Sequence, residues 1–220
     1  MNGVNKEDFD GAQEFMNTSL DMMTDDGETF DLLKDLNGHS NYLYAHCLGV
    51  SLYAVMIARR MSLDFPKIHF SVSMAGLFHD IGKREINSYI LEKKRASLSQ
   101  AERAVYETHP NRGAEILDSL NVPPEVVQTV LQHHEDCMGT GYPQRLRKNQ
   151  IIPIARIIFV ANVFCGYAIK NPQSKGFTAE ESIKKMESIF GQRIDSVPFM
   201  ALKEIFGIHV YEQKGPKIVV

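Results

Sequence analysis

Two short runs of this chain concentrate residue types that bind metal ions. The first is HDIGK at residues 79–83, and the second is HHEDCMGTGYP at residues 133–143. Divalent metals bind clustered imidazole and carboxylate groups beside an open position for water. Adjacent His and Asp side chains, further histidines and a downstream Gly/Pro loop therefore predict a metal-centred hydrolase that acts on phosphate esters.

Helical periodicity predicts which histidines point into the protein. Four of them extend apolar stripes on predicted helices: His46, His79, His133 and His134. A single inward histidine is ordinarily a hydrogen-bonded core residue. Burying all four with Asp80 would leave many polar atoms unpaired, at a cost of about 1 to 3 kcal/mol each, unless a metal ion binds them.

Two further residues are candidates for the same interior. His109 lies just before Pro110 at a predicted helix end, and Asn162 continues the apolar stripe of Ile154 and Ile158. The remaining histidines lack such support and are expected to be surface or structural residues: His39, His69 and His209.

The hydrophobic pattern from Asn41 onward is helical almost throughout, which predicts an all-α fold. Ser99 and Glu102 form a capping-box pattern at one helix start. Residues 209–220 contain two β-prone runs, so this segment is expected to be a tail or a short hairpin. The helices are expected over 41–61 and 67–81, from Ser99, from Pro124 to about Glu135, from Pro153 to about Ala168, from Thr178 to about Phe190, and from Pro198 to Phe206.

Length and composition favour one domain with a small appendage, since 220 residues with 44% hydrophobic content can bury a full core. The net charge of -3 is uneven, because residues 1–38 carry ten acidic residues against two lysines. That acidic segment is expected to form one or two amphipathic helices that pack on the main body or dock on a signalling-protein partner. A pI near 6.2 argues against nucleic-acid binding.

Three cysteines without CxxC spacing argue against a disulfide framework and for a reducing compartment, so the cytoplasm is the expected location. The sequence contains no run that approaches 18 apolar residues, so no membrane span is expected.

The ordered motifs resemble those of the HD-GYP family, a branch of the HD phosphohydrolases, from about Asn41 to Phe206. The resemblance rests on HDIGK, an ILEK segment at 90–93 with Leu-Ser at 98–99, His-Pro at 109–110 followed by Gly113, HHE and GTGYP. It implies an HD-type helical bundle around a buried metal site over residues 39–208. It also implies hydrolysis of cyclic di-GMP, or a related cyclic dinucleotide, by a metal-bound hydroxide.

The resemblance further implies a role for each matching residue. Divalent transition metals, two of them, are expected, with Fe or Mn favoured and Ni or Zn as alternatives. Asp80 would bridge the two ions and Lys83 would stabilise charge on the phosphate, so these two are the expected catalytic residues. The substrate contacts would be Lys83, Gly141, Tyr142 through ring stacking on guanine, and Lys170. The metal ligands would be His46, His79, Asp80, His109, His133, His134 and Asn162.

Four positions depart from the family pattern. Met138 and Asn162 each replace an Asp, and Asn171 replaces a phosphate-contacting Arg. Tyr42 stands where some members have a Glu for a third metal, so a trinuclear centre is not expected. Positive charge could come instead from Lys170 or from the loop residues Arg145, Arg147 and Lys148. The alternative function is therefore a catalytically degenerate module that senses a cyclic dinucleotide or metal, or docks on a protein.

Overall fold

The computed structural model of the protein describes residues 42–171 and 174–208. The predicted helices of the acidic segment 1–38, its proposed partner contact, and the possible hairpin within 209–220 lie outside these residues, as do His39 and His209. The boundaries drawn at 38/39 and 208/209 therefore stay predictions.

The described residues form an all-α bundle, as the hydrophobic pattern predicts. None of these helices is long and apolar enough to cross a lipid bilayer. Short 3-10 turns occupy Ile81–Glu85, Arg95–Ser97, Lys148–Gln150 and Gly191–Arg193. The helices are α1 (Tyr42–Arg60), α2 (Pro66–Phe78), α3 (Ser88–Leu91), α4 (Gln100–Tyr106), α5 (His109–Ser119), α6 (Pro124–Gln132), α7 (Pro153–Ala168), α8 (Ala179–Phe190) and α9 (Ser196–Ile205).

Helix α1 is the centre of the bundle, with α2, α7 and α9 packed around it. Its residues from Gly49 to Ala58 are all buried, so no face of this stretch is left to solvent. Tyr53 meets Phe164 of α7 edge to face, with ring centroids 4.8 Å apart. Because His46 and Asn162 lie on these same two helices, the core contact between α1 and α7 also brings together two candidate ligands.

Several helix boundaries follow the predicted local signals. Ser99 and Glu102 form the expected capping box, and a second one joins Thr178 to Glu181. The three cysteines are all free thiols, in agreement with the absence of a disulfide pattern.

Two of the boundaries that differ from the prediction lie at candidate site residues. Helix α2 ends at Phe78 instead of residue 81, because Asp80 has left helical geometry with φ -98° and ψ 7°. His109 begins α5 and does not end the preceding helix. Pro110 has no N–H group that could donate to the backbone carbonyl of Tyr106 in the previous turn. The Nδ1–H group of His109 donates to that carbonyl instead, at 2.8 Å.

Helices α1 and α2 approach so closely that only a glycine fits at position 76. A Cβ atom added to Gly76 would lie 2.5 Å from Ser51 Cα and 2.7 Å from Ser51 N. The contact involves main-chain atoms of α1, so a rotamer change cannot relieve it. This close approach holds the carboxyl end of α2, which leads to His79 and Asp80, against the central helix.

We expect Gly76→Ala to lower the free energy of unfolding by about 1–3 kcal/mol, because α2 must move away from α1 to accommodate the methyl group. Urea denaturation of the purified variant measures this change. Gly166→Ala in α7 is the matched control, since its added Cβ would meet no described heavy atom within 4 Å. The control should be stabilised by about 0.5–1 kcal/mol through helix propensity. Equal effects of the two substitutions would contradict the packing argument.

Candidate metal centre and substrate cleft

The candidate ligands converge on Asp80 from five helices. His46 lies inside α1 and Asn162 inside α7, whereas the others stand at helix ends. His79 and His133 directly follow α2 and α6, and His109 is the first residue of α5. All three rings at helix ends are fully buried, and His134 is partly exposed. The four histidines predicted to point inward do so, and His109 joins them.

Three of the rings are oriented by the same local hydrogen bond. Each presents Nδ1 to the backbone carbonyl three residues earlier: His79 to Gly76 at 2.7 Å, His109 to Tyr106 at 2.8 Å, and His133 to Val130 at 2.6 Å. A carbonyl can only accept, so Nδ1 carries the proton and Nε2 of the neutral ring carries a lone pair. This arrangement is typical of histidines that bind metals.

The three lone pairs meet at the Asp80 carboxylate. Nε2 of His79 lies 3.3 Å from Asp80 Oδ2, and Nε2 of His109 lies 3.4 Å from Asp80 Oδ1. The Nε2 atoms of His109 and His133 are 3.3 Å apart. With both Nδ1 protons committed to carbonyls, two lone pairs face each other at this distance. A bound cation would turn that repulsion into coordination.

The donor atoms fall into two sets that share Asp80. In each set, one ligand atom per residue lies within 4.8 Å of all the others. His79 Nε2, His134 Nε2 and Asp80 Oδ1 are buried without a hydrogen-bond partner. Neutral imidazoles and a carboxylate are ligands that divalent transition metals accept, so the residues present fit such ions. The sets are Asp80, His109, His133 and His134, and His46, His79 and Asp80.

Burial keeps four of the rings neutral. It lowers the pKa of His46 to about 3 and that of His109 to about 4, although Asp80 opposes both shifts. Burial and neighbouring histidines also hold the pKa values of His133 and His134 well below the ordinary value. These four rings therefore offer lone pairs to a metal at neutral pH.

Lys83 contacts the centre directly. Its ammonium donates to Asp80 Oδ2 at 2.5 Å and lies 5.5 Å from the Tyr106 ring centroid. Burial would disfavour both charges, but the Lys83 ammonium holds the pKa of Asp80 well below its usual range. The Asp80 carboxylate correspondingly raises the pKa of Lys83. Both side chains are therefore charged.

Asn162 lies beside His46, and its Oδ1 atom is 3.0 Å from His46 Nε2. It therefore reaches the edge of the His46, His79 and Asp80 set, but as a neutral amide. Tyr42, one turn before His46, adds no anionic ligand, because burial raises its pKa to about 12. The set of Asp80, His109, His133 and His134 has four ligands, whereas the set of His46, His79 and Asp80 has three and a neighbouring amide.

The GTGYP loop packs against the HHE run that precedes it. A Cβ on Gly141 would lie 2.4 Å from the His134 carbonyl oxygen, which explains the glycine there. The Glu135 carboxylate accepts hydrogen bonds from the amides of Gln144 at 2.6 Å and Leu146 at 2.8 Å. The loop is thereby fixed next to His134, a candidate metal ligand.

Asp136 supplies a carboxylate to the loop in which Met138 replaces the family's Asp. It accepts hydrogen bonds from the amides of Met138 and Thr140, both at 2.9 Å, and from the Thr140 hydroxyl at 2.6 Å. Arg193 also donates to it at 2.8 Å. A carboxylate therefore adjoins the loop although Met138 has none, and an acidic residue just before a glycine-rich turn was the signal that could have found it.

A cleft of about 720 Å³ opens beside the metal centre. This volume lies within the range of small-molecule sites. Three of the four predicted substrate-contact residues line it, namely Lys83, Gly141 and Tyr142, whereas Lys170 is exposed outside its lining. Tyr142 is only 9% exposed, and its ring stacks on His134 with centroids 4.6 Å apart.

The cleft also contains cations that sequence reasoning missed: Arg95, Arg103 and Arg193. The loop residues Arg145, Arg147 and Lys148, which were expected as alternative sources of positive charge, do not line this cleft. Lys148 is held by Asp195 at 2.8 Å, and Arg145 lines a smaller neighbouring depression with Arg103. No local pattern marked these arginines, because only the fold brings the segment before α4, α4 itself and the turn after α8 to one cleft. His69, predicted to be a surface or structural residue, has its Nε2 atom 3.2 Å from Asp64 Oδ1.

Comparison with known sequences identifies related proteins. The sequence profile of the HD domain family matches residues 28–197. A cyclic di-GMP phosphodiesterase of Pseudomonas aeruginosa is 34% identical over 79% of this chain and 42% of its own length. A 3′3′-cGAMP-specific phosphodiesterase of Vibrio cholerae is 29% identical over 80% of this chain and 38% of its own length. The chain thus spans less than half the length of these curated relatives.

Solved structures share the fold. An HDG"Y"P protein of Bdellovibrio bacteriovorus superposes with a TM-score of 0.71 at 22% identity, over 92% of this chain and 65% of that one. The HD domain of an L. monocytogenes phosphodiesterase, in complex with cyclic-di-AMP, gives a TM-score of 0.53 at 20% identity over 84% of this chain and 98% of that one. Both likenesses support the HD-type helical bundle.

The lowered histidine pKa values predict acid sensitivity of the metal-free protein. The unfolded chain binds these protons near pH 6.5, whereas folded His109 and His46 bind them at about 4 and about 3. The unfolded state therefore holds more protons between these values, and the free energy of unfolding should fall as the pH is lowered from 6.5. Urea denaturation with a chelator at pH 7.5, 6.5 and 5.5 measures this slope.

Replacing His133 with Gln provides the control for that slope. The variant lacks one of the suppressed protonations, so its stability should change less steeply between pH 6.5 and 5.5. The carboxylates with lowered pKa values titrate below this window and do not contribute to it. A free energy of unfolding that stays level from pH 7.5 to 5.5 would contradict the assignment.

Proposed function

The chain belongs to the HD domain family, within its HD-GYP branch, and we propose that it is a metal-dependent phosphodiesterase that hydrolyses cyclic di-GMP or a related cyclic dinucleotide. The observation that carries this proposal is the buried set of histidine lone pairs around Asp80, which opens directly onto the 720 Å³ cleft. The names of the relatives from P. aeruginosa and V. cholerae support the substrate class.

We propose two divalent transition metals, with Fe or Mn favoured and Ni or Zn as alternatives. When bound, such ions would activate water and neutralise charge on a phosphate group. Asp80 would be shared between the ions because both donor sets contain it. The carbonyl-anchored rings of His79, His109 and His133 would hold them without reorientation.

Lys83 is the residue best placed to act on the reacting phosphate. Its ammonium lines the cleft and touches Asp80, so a phosphate bound at the centre would lie within its reach. The raised pKa keeps the side chain charged, and a fixed positive charge stabilises the negative charge that develops on phosphate oxygens. Tyr142 and Gly141 would form the wall beside His134.

Hydrolysis of cyclic di-GMP by purified protein, supplied with Mn or Fe and followed by chromatography of the linear product, tests the proposed activity. Asp80→Asn should abolish turnover, because it removes the shared carboxylate. Lys83→Met should lower kcat by about 10²- to 10³-fold through loss of charge stabilisation. Lys184→Met is the matched control, since that lysine is exposed and pairs with Glu180. Absence of a linear product from the metal-loaded protein would refute the activity.

The two donor sets are expected to differ in metal affinity. Asn162 contributes a neutral amide beside His46, and amide oxygens bind divalent ions less strongly than carboxylates. The set of Asp80 with three histidines should therefore keep its ion when the other is lost.

Metal analysis of dialysed protein tests this asymmetry. We expect about one retained equivalent, and Asn162→Asp should tighten binding of the second by about 10- to 100-fold. Asn149→Asp adds the same charge at an exposed position and should change nothing. Two equivalents held with equal affinity by the natural protein would contradict the expectation.

A catalytically silent binding module is the second candidate function. Asn162 and Asn171 favour it, because each is a neutral residue where the family pattern places a charged group at the site. This alternative predicts that the dinucleotide binds and stays intact, and that Asn162→Asp creates hydrolysis absent from the natural protein. Hydrolysis by the natural protein would exclude it.

A further inference from the structure

Arg95 is held over the cleft by two aromatic rings. It begins the 3-10 turn Arg95–Ser97 that precedes α4. Its guanidinium carbon lies 5.4 Å from the Tyr106 ring centroid and 5.3 Å from that of Tyr142. Guanidinium groups bind aromatic rings at such distances, and this contact restrains the side chain without using its N–H donors.

The charge of Arg95 is not neutralised by a carboxylate within the described ranges. Two other cations of the cleft are neutralised, because Lys83 pairs with Asp80 and Arg193 pairs with Asp136. The Arg95 side chain is exposed at the cleft and keeps its full complement of donors for a ligand. Its position therefore suits an anionic group of the substrate.

Arg95 approaches the metal centre through the ring of Tyr142. Tyr142 contacts both Arg95 and His134, whereas Lys83 contacts Asp80 directly. The Tyr142 ring therefore lies between Arg95 and the metal centre, whereas Lys83 reaches the centre directly.

We propose that Arg95 binds the second phosphate of the cyclic dinucleotide, the one that does not react, and so fills the role of the arginine that Asn171 replaces. This inference rests on the proposed function, since it presumes a ligand with two phosphodiester groups. Lys83 serves the phosphate at the metal centre, and the planar guanidinium offers two parallel N–H donors to the other. Arg95 is a substrate-binding and positioning residue.

Arg95→Ala tests the proposal, with Lys94→Ala as a matched control that removes an exposed positive charge from the adjacent residue. Binding of fluorescent cyclic di-GMP, measured by anisotropy with a chelator present to prevent turnover, should weaken by about 10- to 100-fold in Arg95→Ala. The control should bind as the natural protein does. Arg95→Lys should recover only part of the affinity, because one ammonium replaces the two-pronged contact.

Steady-state kinetics provide the second readout. Arg95→Ala should raise KM for cyclic di-GMP by a similar factor and change kcat little, as expected for a contact made equally in ground and transition states. Hydrolysis of bis(p-nitrophenyl) phosphate, which has a single phosphate, should be unchanged. An equal decrease in activity with both substrates would overturn the proposal, because it would indicate damage to the metal centre.

Comparison with cyclic di-AMP separates a phosphate contact from a base contact. An equal decrease in affinity for both dinucleotides supports the phosphate assignment, whereas a decrease confined to cyclic di-GMP overturns it in favour of guanine recognition. If the natural protein binds the dinucleotide in an Arg95-dependent manner but does not hydrolyse it, the proposed function fails and the Arg95 assignment stands. If the natural protein hydrolyses the dinucleotide and Arg95→Ala binds it normally, the proposed function stands and the Arg95 assignment fails.

Discussion

The burial of one carboxylate among five histidine rings is the constraint on which the rest of the structure depends. Asp80 and three of the rings are almost fully enclosed, and the Nδ1 protons of those rings are committed to backbone carbonyls. Buried polar atoms without a partner destabilise the folded state, so a bound cation is needed to compensate the polar atoms of this centre. Lys83 provides part of that charge, and the remaining lone pairs suit metals.

The backbone is arranged to serve this centre. Helices end where ligands are needed, because a residue at a helix terminus can present its ring to a shared point without continuing the helix. Pro110 enforces one such break because it has no N–H group to donate to the Tyr106 carbonyl. The His109 ring donates to that carbonyl instead. Glu135 and Asp136 extend the same principle to the GTGYP loop by binding its amides.

The charge of the site has shifted relative to the family pattern without disappearing. Asn162 is a neutral amide next to His46, where the family pattern has an aspartate, and Asn171 is neutral where the pattern has an arginine. Asp136 and Arg95 supply carboxylate and guanidinium groups from different positions in the sequence. A charged group can be supplied by another segment because its interaction with a loop or a ligand depends on its position in space and not on its position in the sequence.

The sequence by itself determined the all-α class, most helix starts, and which histidines face inward, because these depend on local capping and a period of 3.6 residues. It could not determine that His109 starts a helix, that Asp136 anchors the loop, or that Arg95 lies over the cleft while Lys170 lies outside it. Those placements arise from contacts between segments far apart in the chain, which only the packed tertiary structure decides.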